Sequence, residues 1–279
     1  MRAVSSTGSR LEARTIGDDG PRVVFLHGLF GQGRNFTTVA GRVAERGWRV
    51  TLLDLPNHGH SPWTERVDYT EMADAVAAEL AALREADGGA PVRLLGHSMG
   101  GKTAMTLALR RPELLAGLVV VDIAPVDYGG TGGTNGDEMA GYVGLMRGLD
   151  LAGITTRGEA EAALREGVPQ DSTRAFLLQN LVRDKEAGWR WRLNLDVLDR
   201  DVQLLGGFPD PGTATYDGPV LWIAGAESSY VRDEHRARMD ALFPSTRLVR
   251  FKGVGHWVHA QAPDLFVETV GRFLETTRP

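Results

Sequence analysis

Short apolar runs alternate with longer amphipathic stretches through the first half of the chain. The apolar runs are rich in β-branched residues and predict strands, whereas the longer stretches repeat their apolar positions at helical spacing. The predicted strands are residues 22–27, 48–54, 92–95 and 118–123, and the predicted helices between them are 37–46, 70–85 and 100–111. Because these strands show no polar face, the pattern indicates a mostly parallel sheet covered by helices on both sides.

This alternation stops between residues 125 and 216, where no strand-like run is found. A Gly/Thr-rich stretch at 128–137, "YGGTGGTNGD", predicts a flexible entrance to this region. Helical patterns follow at 139–149, 157–166, 172–182 and 193–205, strand patterns return at 219–224 and 246–251, and a last helix is predicted at 263–275. The sequence therefore predicts an α/β core of residues 1–124 and 217–279 with a helical cap of residues 125–216.

The composition narrows the classes of function. The chain of 279 residues is 42% hydrophobic and 24% charged, and its net charge of −5 disfavours non-specific binding to nucleic acid. No run approaches the roughly 18 apolar residues of a membrane span. The first twenty residues are polar and lack the apolar core of a signal peptide, so the expected location is the cytoplasm. The absence of cysteine excludes disulfides and thiolate catalysis.

The segment "VRLLGHSMGGKTAM" places Ser98 in a G-x-S-x-G pattern between a predicted strand and a predicted helix. This context is typical of a nucleophilic serine on a sharp turn, whose oxyanion donors are the backbone N–H of the next residue and one from an early loop. Met99 and Leu29, the latter in "LHGLFGQG", are the predicted donors. An idle serine in a glycine-rich turn is the alternative. A phosphate loop does not fit, because only Gly101-Lys102-Thr103 matches its pattern.

A serine nucleophile needs a neighbouring base, and His256 in "KGVGHW" is the predicted one. It follows the last strand, and the carboxyl ends of parallel strands meet at one edge of the sheet. His259 is a rival three residues later, and His235 is expected on an exposed helix. The pair His58-x-His60 raises the question of a metal site, but a site needs three or four converging ligands. No metal is therefore expected.

Six segments together resemble the α/β-hydrolase superfamily, and within it the ABHD11/YbfF-type esterases. They are "FLHGLFG", "DLPNHGHSP", "LGHSMGGKTAM", "VVDIAPVDY", "WRLNLD" and "GVGHWVHAQAP", in the family's order and spread over nearly the whole chain. The resemblance implies the α/β-hydrolase fold and hydrolysis of carboxylic esters, with thioesters as a further class, without a cofactor. A cofactor-free perhydrolase, a C–C bond hydrolase and a non-catalytic ligand-binding protein of this fold stay open as alternatives.

The acid partner of His256 has three candidates. The superfamily usually carries it after the strand that follows the cap, but here Ser229 stands where aspartate is expected. Asp122, at the end of the strand after the nucleophile helix, resembles the position used in YbfF-like enzymes and is preferred, because a carboxylate on the rigid sheet edge is well placed to orient a histidine. Asp196 and Glu227 are the alternatives.

The expected substrate is a small-molecule ester or thioester, and the oligomeric state stays open. Four residues near the predicted nucleophile and base are expected to contact this substrate: Phe30, His27, Tyr230 and Trp257.

Overall fold

The structure, a computed structural model, describes residues 10–129, 134–184 and 188–278. Within these residues the strands are β1 Ala13–Ile16, β2 Arg22–Leu26, β3 Arg49–Leu53, β4 Val92–His97, β5 Leu115–Val121, β6 Leu181–Asp184, β7 Gly188–Trp191, β8 Val220–Gly225 and β9 Thr246–Phe251. The helices are α1 Thr37–Ala44, α2 Tyr69–Ala86, α3 Met99–Arg110, α4 Thr134–Arg147, α5 Arg157–Leu164, α6 Asp171–Leu178, α7 Leu195–Asp201, α8 Arg236–Leu242, α9 Val258–Gln261 and α10 Pro263–Thr276. Short 3-10 turns include Val202–Gly206 and Asp233–His235.

Seven strands form one sheet in the order β1-β3-β2-β4-β5-β8-β9. β1 runs antiparallel to β3 at the edge, and every other neighbouring pair is parallel. Successive residues of β2 face opposite sides: Val24 and Leu26 pack with α2 and α3, whereas Val23 and Phe25 pack with α1 and α10. Burial on both faces explains why the strands are apolar throughout, and it confirms the predicted α/β-hydrolase fold class.

The segment between β5 and β8 holds α4 to α7 and also the antiparallel hairpin β6–β7. The expectation that no strand occurs between residues 125 and 216 is therefore wrong. Only Leu181 and Trp191 of the eight hairpin residues are buried, so the hairpin has no apolar run that the sequence pattern could reveal. The segment attaches to the loop after β2 through Asn180, whose side-chain N–H donates to Phe30 O at 2.8 Å.

Two further elements differ from the sequence prediction. β1 was not expected, because three of its four residues are exposed and it pairs with only one neighbour. Residues 134–137 of the flexible entrance predicted at 128–137 belong instead to α4, which begins at Thr134. Residues 130–133 of that stretch lie outside the described residues.

The polar N-terminal stretch that argued against a signal peptide includes residues 1–9, which also lie outside the described part of the chain. Among the described residues, no helix has the combination of length and apolar character that crossing a membrane requires. The sheet and its two helical layers bring the carboxyl ends of β2, β4, β5, β8 and β9 to one edge, where the candidate site lies.

Candidate active site

Ser98 lies in the turn between β4 and α3 and lines a cavity of 580 Å³. Its backbone has φ 54° and ψ −120°, a conformation that costs about 1–3 kcal/mol for a residue with a side chain. The turn is held by hydrogen bonds from Ser98 N–H to Val121 O and from Lys102 N–H to Ser98 O, each 3.0 Å long. The serine thus stands at the N-terminus of α3, where the helix dipole favours negative charge.

Glycines on both sides of Ser98 allow close backbone contacts, between β4 and α3 at Gly96 and between α3 and the end of β2 at Gly100. A methyl group on Gly96 would lie 2.2 Å from Gly100 O, and one on Gly100 would lie 2.5 Å from His27 O. Both contacts are with backbone atoms that cannot swing aside. The turn therefore depends on glycine at these two positions.

Gly96→Ala is expected to lower the free energy of unfolding by about 1–3 kcal/mol, because the added methyl forces α3 away from β4. The urea midpoint at pH 7.5 measures this change. Gly41→Ala, in the interior of α1, is the matched control: a methyl there meets no atom within 4 Å, and a helix favours alanine over glycine. A Gly96→Ala midpoint equal to that of the wild type would contradict the close packing of the turn.

His256 follows β9 and lines the same cavity as Ser98, with its ring partly buried. Its Nδ1–H donates to Asp122 Oδ2 at 2.8 Å. Asp122 directly follows β5 and is 0% exposed, and its other oxygen, Oδ1, accepts from Gly225 N–H at 2.9 Å. The structure thus brings together the preferred base and the preferred acid, beside the cavity that Ser98 lines.

Ser228 is a partner of Asp122 that the sequence analysis missed. Its hydroxyl donates to Asp122 Oδ2, the oxygen that also accepts from His256. Ser228 follows β8, next to Ser229, at the place where the superfamily usually carries its acid. A signal was therefore present in the sequence, because a hydroxyl near that position is suited to hold a carboxylate supplied by a different strand.

The alternative acids lie elsewhere. Asp196 is in α7, its side chain is 86% exposed, and it pairs with Arg147 at 3.2 Å. Glu227 is exposed at the cavity lining. The structure therefore places Asp122, and neither alternative, next to His256 Nδ1.

The loop after β2 is fixed in place beside Ser98. Leu29 and Met99, the predicted oxyanion donors, both line the cavity. Phe30 has a positive φ of 60°, and its N–H donates to His58 Nε2 at 3.3 Å. Gly33 N–H donates to Asp54 Oδ1 at 2.7 Å. These bonds hold the loop rigidly, as pre-organised donors require.

His58 serves the loop as a neutral ring. Its Nδ1 donates to Pro56 O at 2.9 Å, which leaves Nε2 free to accept from Phe30. Burial, aided by the neighbouring His27, lowers the pKa of His58 to about 3. Across the described residues, no three His, Asp or Glu side chains converge in a way that could hold a metal ion. His58 is thus explained by the backbone that it supports.

His27 does not contact the cavity, which corrects the prediction that it binds substrate. It is 1% exposed, its Nδ1 donates to Gly28 O at 2.8 Å, and its Nε2 accepts from Leu55 N–H at 2.9 Å. Burial lowers its pKa, although Asp54 raises it. The ring is therefore a neutral tie between the loops that follow β2 and β3.

Two other histidines are also buried. His235, expected on an exposed helix, is 5% exposed in the turn Asp233–His235 and packs against Tyr128. The expectation of an exposed position is wrong, because the ring closes over the loop after β5. His259, the rival base, is buried between Phe36 and His97 and does not line the cavity. Burial lowers its pKa to about 4.

The cavity lining combines residues from the sheet edge with residues of the inserted segment. Phe30, Tyr230 and Trp257, all predicted as substrate contacts, line it, and the Tyr230 ring lies 4.3 Å from the His256 ring. The inserted segment contributes mainly apolar side chains, namely Met139, Tyr142, Phe176, Leu177, Val202 and Leu205. The volume of 580 Å³ is typical of a small-molecule site.

The chain is similar to several known proteins. A sequence model of the family described as alpha/beta hydrolase fold matches residues 21–263. The chain is 38% identical to the sn-1-specific diacylglycerol lipase ABHD11 of Mus musculus, over 91% of this chain and 81% of that protein. It is 34% identical to Esterase YbfF of Escherichia coli (strain K12), over 90% of this chain and 92% of that protein. A solved structure, a marine microorganism esterase, matches with a TM-score of 0.88 at 30% identity, covering 95% of this chain and 99% of that one. The resemblance indicated by the sequence motifs is confirmed.

Proposed function

The chain belongs to the alpha/beta hydrolase family, and from this membership we propose that it cleaves carboxylic esters through an acyl-enzyme on Ser98. Its relatives named esterase or lipase, and its likeness to a solved esterase, make it a hydrolase that acts on esters. The main support for the proposed mechanism is the hydrogen bond of 2.8 Å from His256 Nδ1–H to Asp122 Oδ2. It lies beside a cavity that both His256 and Ser98 line.

In the first half-reaction, Ser98 Oγ attacks the ester carbonyl carbon while His256 Nε2 takes the hydroxyl proton. Asp122 holds Nδ1–H, so that the ring presents its unprotonated nitrogen to Ser98, and it stabilises the imidazolium that forms. His256 then gives the proton to the alcohol oxygen as the C–O bond breaks. In the second half-reaction, water attacks the acyl-enzyme, with His256 again taking and returning the proton, and the carboxylic acid leaves.

The backbone N–H groups of Leu29 and Met99 stabilise the negative charge that develops on the carbonyl oxygen. The first belongs to the rigid loop after β2, and the second belongs to the first turn of α3, where N–H groups have no partner within the helix. A donor of this kind is typically worth about 10²–10³ in kcat. Both donors are backbone groups, so their side chains are free to shape the cavity.

Asp122→Asn is expected to lower kcat by about 10⁴-fold with little change in KM. Gly225 N–H donates to Oδ1 of Asp122, so the asparagine carbonyl must face Gly225 and its amide N–H must face His256. His256 Nδ1 would then have to accept, which puts the ring proton on Nε2, where it cannot take the proton of Ser98. Steady-state hydrolysis of p-nitrophenyl butyrate measures the loss.

Asp196→Asn and Glu227→Gln are the matched controls for this prediction, because each removes one of the alternative carboxylates. Both are expected to keep kcat within about threefold of the wild type, since neither lies beside His256 Nδ1. A greater loss in Glu227→Gln than in Asp122→Asn would assign the acid to Glu227 instead.

We further propose that residues 125–216 act as a cap that selects the acyl group, because this segment supplies apolar lining residues that face those of the sheet edge, among them Met139, Phe176 and Leu177. Thioesters are included, since the same acyl-enzyme forms from a thiol leaving group. The test is hydrolysis of p-nitrophenyl esters from acetate to octanoate, and of a butyryl thioester, by the wild type with and without EDTA. Turnover of the esters at a rate that EDTA leaves unchanged is expected. Failure to cleave any of the esters would overturn the proposal.

A further inference from the structure

Lys102 is a buried cation that the proposed mechanism does not use. It lies in the first turn of α3, four residues after Ser98, and is 1% exposed. The chain has three lysines and 28 arginines, so a lysine at a buried position stands out. A buried ammonium near a helix N-terminus opposes the helix dipole and loses its hydration, and both effects are unfavourable. Interactions with neighbouring groups must therefore offset the free energy of burying the ammonium.

Backbone carbonyl oxygens surround the ammonium group. Lys102 Nζ donates to Gly206 O and Gly207 O at 2.6 Å each and to Val126 O at 3.0 Å, with Leu205 O at 3.5 Å. The Tyr128 ring lies 4.7 Å and the Tyr69 ring 5.7 Å from the nitrogen. Both the carbonyl oxygens and the faces of the two rings attract a cation. Burial lowers the pKa of Lys102 to about 7, and Asp127 raises it.

The four carbonyls come from two parts of the segment between β5 and β8, the loop after β5 and the 3-10 turn after α7. Val126 leaves the sheet edge just after Asp122, and Leu205 to Gly207 follow α7 on the way back to β8. Tyr128 N–H donates to Gly206 O at 3.1 Å, and Tyr69 OH donates to Leu205 O at 2.9 Å. Lys102 thus ties the loop after β5 and the turn after α7 to each other and to α3, the helix that follows Ser98.

The tied residues form one wall of the substrate cavity. Tyr128, Leu205 and Gly206 line it directly. Tyr128 OH donates to Tyr230 O at 2.6 Å, and the Tyr230 ring lies 4.3 Å from the ring of His256. The cavity wall between Lys102 and His256 is therefore continuous, and a shift of the carbonyls around Lys102 would move part of the cavity surface.

We propose that Lys102 is a positioning residue that holds this cavity wall in place and so determines how well long acyl chains bind. The proposal rests on the proposed function. A lysine suits this role because its compact ammonium can donate to carbonyls converging on one point, whereas the planar fork of arginine matches carboxylates and phosphates. The bonds to the carbonyls and the two rings offset the desolvation of the charge.

The test is steady-state kinetics of the wild type, Lys102→Met and Lys252→Met with p-nitrophenyl acetate and p-nitrophenyl octanoate at pH 6.5. Lys252 is exposed after β9 and is the matched control. For Lys102→Met, KM for the octanoate is expected to rise about tenfold while kcat for the acetate stays within about threefold, as loss of binding to the acyl chain requires. Lys252→Met is expected to match the wild type.

Rescue distinguishes positioning from a general loss of structure. In Lys102→Ala, n-propylammonium replaces the missing part of the side chain, and it is expected to restore KM for the octanoate, whereas neutral propionamide is not. Lys102→Gln, which keeps two N–H donors, is expected to have an intermediate KM. If Lys102→Met does not fold, Lys102→Gln is measured in its place. A folded Lys102→Gln with the wild-type KM for the octanoate overturns the proposal. Failure of both variants to fold also overturns it.

Two other results separate the proposal from the proposed function. A wild type that cleaves neither ester refutes the proposed function itself, and with it the role of Lys102. The positioning role alone is refuted if the wild type cleaves both esters and Lys102→Met has the wild-type KM for the octanoate. It is also refuted if Lys102→Met lowers kcat equally for both esters.

Discussion

Replacing Ser98 by alanine is expected to lower kcat for p-nitrophenyl butyrate by about 10⁶-fold, the loss typical of removing a serine nucleophile. The variant keeps the carbonyl and N–H bonds that form the turn, so the backbone N–H groups of Leu29 and Met99 stay in place. KM is expected to change little, because the lining of the cavity is otherwise intact. The variant is expected to fold normally, since alanine removes only the Oγ atom from a residue that already has a Cβ.

Ser245→Ala is the matched control for this prediction. Ser245 is exposed in the turn before β9 and lies outside the cavity lining. The kcat of Ser245→Ala for p-nitrophenyl butyrate is expected to equal that of the wild type. Turnover by Ser98→Ala above about one hundredth of the wild-type rate would mean that another group attacks the ester.

Acid is expected to unfold the protein cooperatively, because four buried histidines are neutral in the folded state. Burial lowers the pKa of His58 to about 3 and that of His259 to about 4, and it lowers the pKa values of His27 and His97 as well. The unfolded chain binds protons below pH 6.5 that the folded protein does not, so the free energy of unfolding falls as pH falls below 6.5. This loss continues until the folded rings themselves take up protons.

The size of the effect is large. At pH 5.0 His58 and His259, whose pKa values are about 3 and about 4, each lower the free energy of unfolding by about 2 kcal/mol relative to pH 7.5. Together they lower it by about 4 kcal/mol, a large part of the stability of a typical domain, and the lowered pKa values of His27 and His97 act in the same direction. The urea midpoint measured from pH 7.5 to 5.0 is expected to fall steeply, and His58 and His259 contribute about two protons per molecule to the slope of the free energy of unfolding against pH. Equal midpoints at both ends of this range would refute the neutral state of these rings.

His259→Leu separates the histidines from other acid-sensitive groups. Among the described residues, His259 Nδ1 has no hydrogen-bond partner, so leucine removes no bond at that atom and fills similar space among Phe36 and Phe266. The variant is expected to lose about one proton from the slope of stability against pH. An unchanged slope would show that the ring of His259 does not contribute.

The sequence predicts the strands of the parallel sheet well, because burial on both faces leaves them apolar throughout. It also predicts the turn at Ser98, where two glycines flank a serine between a strand and a helix. β1 and the hairpin β6–β7 could not be predicted in this way. Most of their residues are not buried, so no apolar run marks them.

The site shows where residue type alone misleads. His27 and His235 were assigned to substrate contact and to solvent, but both rings are buried, and the pairing of His27 Nε2 with Leu55 N–H depends on loops that sequence patterns do not position. The sequence favours Asp122 over Asp196 through the resemblance to YbfF-like enzymes and through the rigidity of the sheet edge. The serines after β8 are visible in the sequence, but the pairing of Ser228 with Asp122 depends on β5 and β8 lying side by side.

The most direct test of the central claim, that Ser98 carries the acyl group, is covalent capture with diethyl p-nitrophenyl phosphate. This reagent transfers a phosphoryl group to a nucleophilic serine, and the product does not turn over as an acyl-enzyme does. One p-nitrophenol per protein molecule, loss of esterase activity and a single diethylphosphoryl group on the peptide that contains Ser98 are expected. Modification of a different residue in step with the loss of activity, or no modification of an enzyme that remains active, would contradict the assignment of Ser98 as the nucleophile.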